Sequence, residues 1–272
     1  MNDLLVNPRR SAEDPCLVRV DPESAGWGHV GFEVLALAAG ERADRTTAGR
    51  EACLVPLEGS FAVASAGGAW AGLGGRPSPF DGPPEALYLP PGEFSVRAET
   101  GPAELAICTA PASGAVPAHR VAADPARVEH RGHGSFAREV RPILMDAEAA
   151  EAEALLVCEV ITPGGHWSSF PPHKHDRDAL PEESLLEETY YHRLRPAGGF
   201  ALQRVYDGGA LDVSLAVGDR DTVLVPRGYH VVSSPPGYDL YYLNVMAGPH
   251  RRWAIADDPA HAWIAAAPEA HS

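Results

Sequence analysis

Three histidines and one glutamate in the second half of the chain have the residue types and spacing of a metal site. His173 and His175 stand in PPHKHD, Glu188 lies in EETYYHR, and His230 follows a Pro-Arg-Gly turn in VPRGYH. Side chains on a strand alternate between its two faces, so the histidines of an HxH pair share a face. Three imidazoles and one carboxylate leave coordination positions open for water or substrate. The sequence therefore predicts an open site for one divalent metal ion.

The same alternation sorts the other side chains of the EETYYHR run. Tyr190 and His192 share the face of Glu188, whereas the residues between them point the other way. A general acid or base must lie within hydrogen-bond reach of the transferred proton. Tyr190 and His192 are therefore candidate catalytic residues, and Tyr242 on a later strand is a third. Glu187 is an alternative to Glu188 as the carboxylate ligand, although alignment to the strand favours Glu188.

Composition and charge disfavour several classes of partner. The chain has 272 residues, with 37 acidic against 22 basic side chains and a net charge of −15. This balance disfavours nucleic acid and anionic membrane surfaces. No run approaches the about 18 apolar residues of a membrane span, and the first residues lack an apolar signal core. Four scattered cysteines without CxxC spacing predict reduced thiols. We expect a cytoplasmic protein that acts on a small molecule, with no nucleic-acid or membrane partner.

The pattern of apolar runs predicts an all-β fold. Short runs such as GFEVLALAAG, ALYLPPGEFSVRA and DTVLVPRGYHVVSS alternate with turns that use many of the 27 glycines and 26 prolines. Many short strands at turn-punctuated intervals are typical of a sandwich or barrel. The clearest helical stretch is DAEAAEAEALL, residues 146–156, and a loop with a single turn is the alternative for it. Residues 111–136 are rich in Pro, Ala and Gly, and we interpret them as a linker.

An internal repeat predicts two tandem domains, residues 1–125 and 126–272. The segment ALYLPPGEFSV resembles TVLVPRGYHVV at an offset of 136 residues. Three segments of the first half recur in the same order in the second: 86–96 with 222–232, 32–41 with 157–166, and 50–63 with 187–202.

The two copies differ where the chemistry would be. Phe94 takes the position of His230, and no HxH pair occurs near residues 41–50. Glu51 falls roughly opposite Glu188. We therefore expect a degenerate first domain without metal ligands, and a second domain that binds the metal.

The motif HxH…E…PxGxH on short, duplicated strands resembles the cupin superfamily in its two-domain form. The strings PPHKHD, EETYYHR, GFALQRVY, VLVPRGYH and GYDLYYLNVMAG are more similar still to the 5-deoxy-glucuronate isomerases of inositol catabolism. The resemblance is strong across the second half, and GREACLVPLEGSFAV carries it in the first. It implies two tandem double-stranded β-helix (jelly-roll) barrels. The loop DRDALPEESLLE is longer than the few residues that usually separate HxH from the glutamate.

The resemblance also implies an activity, the aldose–ketose interconversion of 5-deoxy-glucuronate and 5-dehydro-2-deoxy-gluconate. A divalent metal, Zn, Mn or Fe, would polarise the carbonyl group of the substrate. The substrate carboxylate calls for a guanidinium group, and Arg204 and Arg227 are candidates. Edge strands of two-domain cupins often pair between subunits, which leads us to expect a homo-oligomer.

Other functions are compatible with the same four ligands. One is the ketol-isomerase of pectin breakdown, which acts on 4-deoxy-L-threo-5-hexosulose-uronate. Another is an Fe(II) dioxygenase, and a third is a non-catalytic sugar-binding or storage cupin. The string GYDLYYLNVMAG and the long loop favour the inositol branch. A transcriptional sensor would be expected to carry a helix-turn-helix or a basic face, and neither occurs in the sequence.

Overall fold

A computed structural model describes residues 4–9, 11, 14–145 and 150–266, and it is almost entirely β. The strands before residue 125 are β1 (Leu5–Val6), β2 (Cys16–Val20), β3 (Gly31–Leu37), β4 (Arg42–Thr46), β5 (Arg50–Glu58), β6 (Ser60–Ser65), β7 (Gly68–Gly74), β8 (Ala86–Leu89), β9 (Glu93–Ala98), β10 (Ala103–Pro111) and β11 (His119–Val121). The later strands are β12 (Glu129–Arg131), β13 (Arg138–Pro142), β14 (Leu156–Thr162), β15 (Trp167–Lys174), β16 (Asp176–Ala179), β17 (Glu183–Leu185), β18 (Glu187–Arg195), β19 (Ala201–Tyr206), β20 (Asp212–Val217), β21 (Thr222–Val225), β22 (Tyr229–Ser233), β23 (Asp239–Ala247) and β24 (Ala256–Asp257). Helical segments in the described residues are short: α1 (Pro22–Ala25) and the 3-10 turns Pro125–Arg127, Gly134–Phe136 and Ala262–Ala266. The all-β prediction is confirmed.

Each half of the chain forms two facing antiparallel sheets. In the first half, a six-stranded sheet (β11-β8-β5-β10-β3-β2) faces a four-stranded sheet (β4-β9-β6-β7). In the second, a seven-stranded sheet (β1-β21-β18-β23-β14-β13-β12) faces a five-stranded sheet (β20-β19-β22-β15-β24), and β16 and β17 form a hairpin. Strand β1 crosses over from the start of the chain, with Leu5 opposite Val223. The domain boundary at residues 125/126 falls between β11 and β12 and stays a prediction.

Alternation along the central strands divides buried side chains between two cores. In β18, Tyr190 and Leu194 belong to the core inside the second half, whereas Tyr191 belongs to a core that both halves share. In β23, Tyr242 faces inward and Tyr241 faces the shared core. The six- and seven-stranded sheets therefore pack against each other, and strands buried on both faces have near-continuous apolar sequences.

Buried charges in the shared region are paired across it. Glu159 on β14 is fully buried and receives hydrogen bonds from Arg76 Nη1 of the first half at 2.9 Å and from the Tyr241 hydroxyl at 2.7 Å. Arg141 Nη1 lies 3.9 Å from the same carboxylate. Buried charges are tolerated when they are paired and hydrogen-bonded, so this cluster fixes how the halves meet.

Two glutamates at the start of equivalent strands tie each half to the other. Glu51 on β5 accepts hydrogen bonds from the backbone N–H groups of residues 153–155, at 2.6–2.8 Å. Glu187 on β18 accepts three from residues 28–30, at 2.7–2.8 Å. The repeat offset of 136 residues relates Glu51 to Glu187. The sequence-based pairing of Glu51 with Glu188 is therefore wrong by one residue.

Two segment predictions need correction. Residues 111–136 are more than a linker, because β11 pairs with β8 in the first half and β12 pairs with β13 in the second. Of the segment 146–156, residues 146–149 lie outside the described residues. Residues 150–155 form turns and bends and not a helix, which agrees with the alternative of a loop, and β14 begins at Leu156. Among the described helices, none is long and apolar enough to cross a membrane.

Candidate metal centre

The predicted metal ligands meet between the two sheets of the second half. His173 lies near the end of β15 and is directly opposite His230 of β22 in the five-stranded sheet. His175 follows β15, where the chain turns into the β16–β17 hairpin. Glu188 reaches the group from β18 in the facing seven-stranded sheet. Residues separated by up to 57 positions in sequence thus converge at one end of the barrel.

The geometry of this group suits a metal ion. Each imidazole offers a nitrogen, and the three nitrogens lie within 4.8 Å of one another. Glu188 Oε2 is 3.1 Å from His175 Nε2 and 3.1 Å from His230 Nε2. Among the residues that the structure describes, no other group of three potential ligands lies so close together.

Neighbouring groups orient the ligands. His175 Nδ1 is 3.0 Å from the carbonyl of Leu186, and His230 Nδ1 is 3.3 Å from that of Gly228. A carbonyl only accepts, so each Nδ1 carries a proton, and Nε2 is the nitrogen that a metal would take. His230 Nε2 is buried and forms no hydrogen bond, although the Glu188 carboxylate lies 3.1 Å from it. A buried nitrogen facing a carboxylate without a hydrogen bond is costly, so the donor set fits a divalent metal that would bind both.

Charge interactions hold Glu188 and His173 in the forms that bind a metal, whereas they favour the protonated form of His175. Burial opposes ionisation of Glu188, but the neighbouring His230 and His175 outweigh it and lower its pKa to about 2. Burial, followed by the proximity of His230 and His175, lowers the pKa of His173 well below its usual range. Burial also acts against protonation of His175, yet the hydrogen bond that His175 donates to the Glu188 carboxylate outweighs burial and raises the pKa of His175. At neutral pH the carboxylate is ionised and His173 is neutral.

A cavity of about 150 Å³ opens beside His173 and Glu188. Its other polar or aromatic lining side chains include Tyr190, Tyr242, Asn244, Trp253, Asp257, Arg131 and Arg138. Asn244 Nδ2 also donates a hydrogen bond to Glu188 Oε1, so it positions the carboxylate. The cavity has the combination of apolar walls and a few convergent polar groups that is typical of a small-molecule site.

Two of the three predicted catalytic residues line this cavity. Tyr190 and Tyr242 have ring centroids 5.0 Å apart. Their hydroxyls contact Ser169 Oγ at 2.9 Å and Ser168 Oγ at 2.5 Å, respectively. Burial raises the pKa of Tyr190 well above its usual range and that of Tyr242 to about 12. Both phenols are therefore protonated at neutral pH and are able to donate hydrogen bonds.

His192, the third predicted catalytic residue, lies behind Tyr190 and does not line the cavity. The two rings are stacked with centroids 6.1 Å apart. His192 Nδ1 is 3.2 Å from the carbonyl of Asp221, and Nε2 is buried without a hydrogen-bond partner. Burial lowers the pKa of His192 to about 4, so the ring is neutral at physiological pH. Its position supports the Tyr190 ring and does not bring it to a substrate in the cavity.

The structure does not bring the predicted substrate-binding arginines to the cavity. Arg204 forms a two-pronged ion pair with Asp212 on the neighbouring strand, with both N–O distances 2.8 Å. Arg227 Nε is 3.1 Å from Asp207. Both guanidinium groups are exposed on the outer surface, and each already forms an ion pair with a carboxylate of the chain.

Arg131 and Arg138 line the cavity instead. They face each other in register on β12 and β13, the edge hairpin of the seven-stranded sheet. Sequence reasoning missed them because the first lies in the segment interpreted as a linker. The available signal was RGHGSFAR, in which two arginines flank a glycine-containing turn.

The first half has no equivalent of this centre among its described residues. Phe94 replaces His230, and the residue opposite Phe94 is Arg45, where the second half has His173. Arg45 binds Glu33 at 2.7–2.8 Å. At the position of Glu188, the offset of 136 residues places Ala52. An apolar core fills this sandwich.

Comparisons with known proteins identify the family of the chain. The model of the KduI/IolB family matches residues 4–264. A 5-deoxy-glucuronate isomerase of Geobacillus kaustophilus is 47% identical over 267 residues, covering 97% of this chain and 96% of the relative. The crystal structure of an IolB-like protein from Salmonella typhimurium superposes with a TM-score of 0.92 at 44% identity, covering 96% of this chain and 99% of that one. An oxalate decarboxylase of Bacillus subtilis superposes with a TM-score of 0.66 at 12% identity, and the alignment covers 99% of this chain and 82% of that one. This last likeness bears on the fold alone.

Proposed function

Because this chain belongs to the KduI/IolB family, we propose that it is a metal-dependent isomerase that interconverts 5-deoxy-glucuronate and 5-dehydro-2-deoxy-gluconate. One observation carries the proposal. His173, His175, Glu188 and His230 converge beside a cavity whose wall also holds two protonated tyrosines. Aldose–ketose isomerisation needs this pairing of an electrophilic centre with hydrogen-bond donors, because negative charge develops on the substrate oxygens.

The four ligands would hold one divalent metal, which would act as a Lewis acid on the substrate carbonyl. Other groups of the chain hold the proposed ligands in place. Leu186 and Gly228 hold the rings of His175 and His230 through their carbonyls, and Asn244 holds Glu188. Such outer contacts fix the direction of each ligand lone pair before any substrate enters.

Tyr190 and Tyr242 serve as hydrogen-bond donors to the substrate oxygens. Their raised pKa values keep them protonated at neutral pH, so each presents an O–H group to the cavity. When Ser169 and Ser168 donate to these hydroxyls, each phenolic proton is free to face the substrate. Hydrogen bonds already aimed at developing charge lower the barrier without reorganisation during the reaction.

The wider setting belongs to the same proposal. The enzyme would act in myo-inositol catabolism in the cytoplasm, with Zn, Mn or Fe as its metal. A homo-oligomer is supported by exposed apolar residues on the five-stranded sheet. Trp167 and Leu202 flank Ser233 in register, and they are 41% and 50% exposed.

The test is turnover by metal-loaded protein, followed by NMR of the sugar. We expect conversion of 5-deoxy-glucuronate, in the presence and absence of oxygen, and a lower kcat/KM with 4-deoxy-L-threo-5-hexosulose-uronate. Preference for the second substrate would assign the protein to pectin breakdown. Oxygen uptake would indicate a dioxygenase, and binding of both sugar acids without turnover would leave a sugar-binding protein.

A further inference from the structure

Arg138 is a cation in the cavity wall that no acidic side chain neutralises. Its Nη1 donates to the carbonyls of Phe136 at 3.2 Å and Phe170 at 3.4 Å. Within the described part of the chain, no carboxylate lies within ion-pair distance of its guanidinium. Burial, together with the positive charge of Arg131, lowers the pKa of Arg138. A partly buried charge without a counter-ion is costly, and a bound anion would remove that cost.

The neighbours of Arg138 do not neutralise its charge. Arg131, opposite Arg138 in register, pairs with Glu129 at 2.6 Å and stacks on Trp253 with 5.3 Å between guanidinium carbon and ring centroid. Gly132 has a φ of +75°, and a Cβ at this position would clash with the carbonyl oxygen of Phe136 and lie 2.7 Å from Arg138 Nη1. The turn backbone therefore requires glycine here, and the Arg138 guanidinium packs closely against it.

The cavity therefore has two chemically distinct ends. The metal ligands His173 and Glu188 are on β15 and β18, whereas Arg138 and Arg131 lie on the edge hairpin. A guanidinium binds a carboxylate through two parallel hydrogen bonds, which fixes its orientation as well as its position. A local cation also offsets the repulsion that a chain of net charge −15 exerts on an anionic ligand.

We propose that Arg138, flanked by Arg131, binds the carboxylate of the substrate and thereby selects sugar acids over neutral sugars. This inference rests on the proposed function for the identity of the substrate, but it concerns recognition of the carboxylate. Arg138 fixes one end of the sugar acid while the reacting carbon atoms lie at the metal end. Because both ends of the substrate are held, its binding energy serves to orient the reacting carbon atoms.

The test uses the metal-loaded protein with Arg138→Met, Arg138→Lys and a control, Arg42→Met, which replaces an exposed arginine of the first half. Binding of glucuronate, a sugar acid that differs from 5-deoxy-glucuronate by a hydroxyl group at C5, is measured by calorimetry. Loss of a hydrogen-bonded charge pair weakens binding by roughly 10- to 100-fold, so we expect that loss in Arg138→Met. Arg138→Lys should lie between it and the wild type, and Arg42→Met should be unchanged.

Turnover gives the second measurement. For 5-deoxy-glucuronate, Arg138→Met should raise KM by roughly 10- to 100-fold, while slow turnover of neutral 5-deoxy-glucose should not change. Metal content should stay at the wild-type value. Equal glucuronate affinity in wild type, Arg138→Met and Arg138→Lys would overturn the inference, as would a wild type that does not bind glucuronate. Arg138-dependent binding of glucuronate without any isomerisation would instead leave the inference standing and overturn the proposed function.

Discussion

Glu187 and Glu188 are adjacent in the chain, yet their carboxylates act on opposite faces of β18. Glu188 lies 3.1 Å from His175 Nε2 inside the second half. Glu187 accepts backbone hydrogen bonds from residues 28–30 of the first half. Strand alternation therefore assigns one carboxylate to the candidate metal centre and its neighbour to the contact between the halves.

This separation predicts two different phenotypes. Glu188→Ala should lower metal affinity by more than about 100-fold, because replacing even a residue that only hydrogen-bonds a metal ligand lowers metal affinity by about 10- to 100-fold. Glu187→Ala should keep the metal and lower the thermal midpoint, since three backbone N–H groups lose their acceptor. Metal analysis and thermal unfolding of both variants check this. Metal loss in Glu187→Ala with retention in Glu188→Ala would reverse the assignment.

A second prediction concerns the phenols in the cavity wall. Removing the hydroxyl in Tyr242→Phe should lower kcat by roughly 10²- to 10³-fold, the range for one hydrogen-bond donor to a developing oxyanion, with metal content unchanged. Tyr241→Phe is the matched control, because Tyr241 faces the shared core and binds Glu159. Steady-state kinetics on both variants decide the matter. Wild-type kcat in Tyr242→Phe would remove Tyr242 from the chemistry.

Metal affinity should depend on pH in a direction set by His175. Glu188 raises the pKa of His175, so in the metal-free protein this ring takes up a proton above the ordinary histidine pKa of about 6.5. A metal must displace that proton. Apparent affinity should therefore fall as pH decreases, about tenfold per pH unit for each proton displaced. Glu188, with a pKa of about 2, stays ionised throughout. Chelator competition from pH 5 to 8 measures this, and a flat profile would contradict it.

The buried charges between the halves should matter for stability. Glu159→Gln leaves Arg76 buried without its carboxylate, and breaking such a pair costs about 3–5 kcal/mol of unfolding free energy. The control is Asp44→Asn, which breaks an exposed pair with Arg42 and should cost less than about 1 kcal/mol. Denaturant unfolding of both variants compares them. Similar midpoints for the two would show that Glu159 does not fix the contact.

The features that depend on local periodicity could be predicted from the sequence. The shared face of Glu188, Tyr190 and His192 follows from strand alternation alone, and the structure shows that face turned inward. The family assignment, carried by long strings such as GYDLYYLNVMAG, is confirmed by the family match over residues 4–264. The all-β fold followed from short apolar runs and their turns.

What the sequence did not provide depends on long-range packing. Arg204 looks available in GFALQRVY, but Asp212 on the next strand occupies it. Arg138 reaches the cavity only because β12 and β13 form an edge hairpin, and its turn residues do not have an alternating strand pattern. His192 shares the face of Tyr190 but lies behind it in the barrel. Strand alternation predicts which face a side chain is on, but not which residues of that face reach the cavity.

The central claim, isomerisation by a metal held on His173, His175, Glu188 and His230, is tested most directly by metal removal and return. Metal-depleted protein is titrated with a single divalent cation while turnover of 5-deoxy-glucuronate is followed. We predict that activity is absent at the start and rises to a plateau at one equivalent per chain, and that His175→Ala does not recover it. Full turnover by the metal-depleted protein, or full recovery by His175→Ala, would contradict the account.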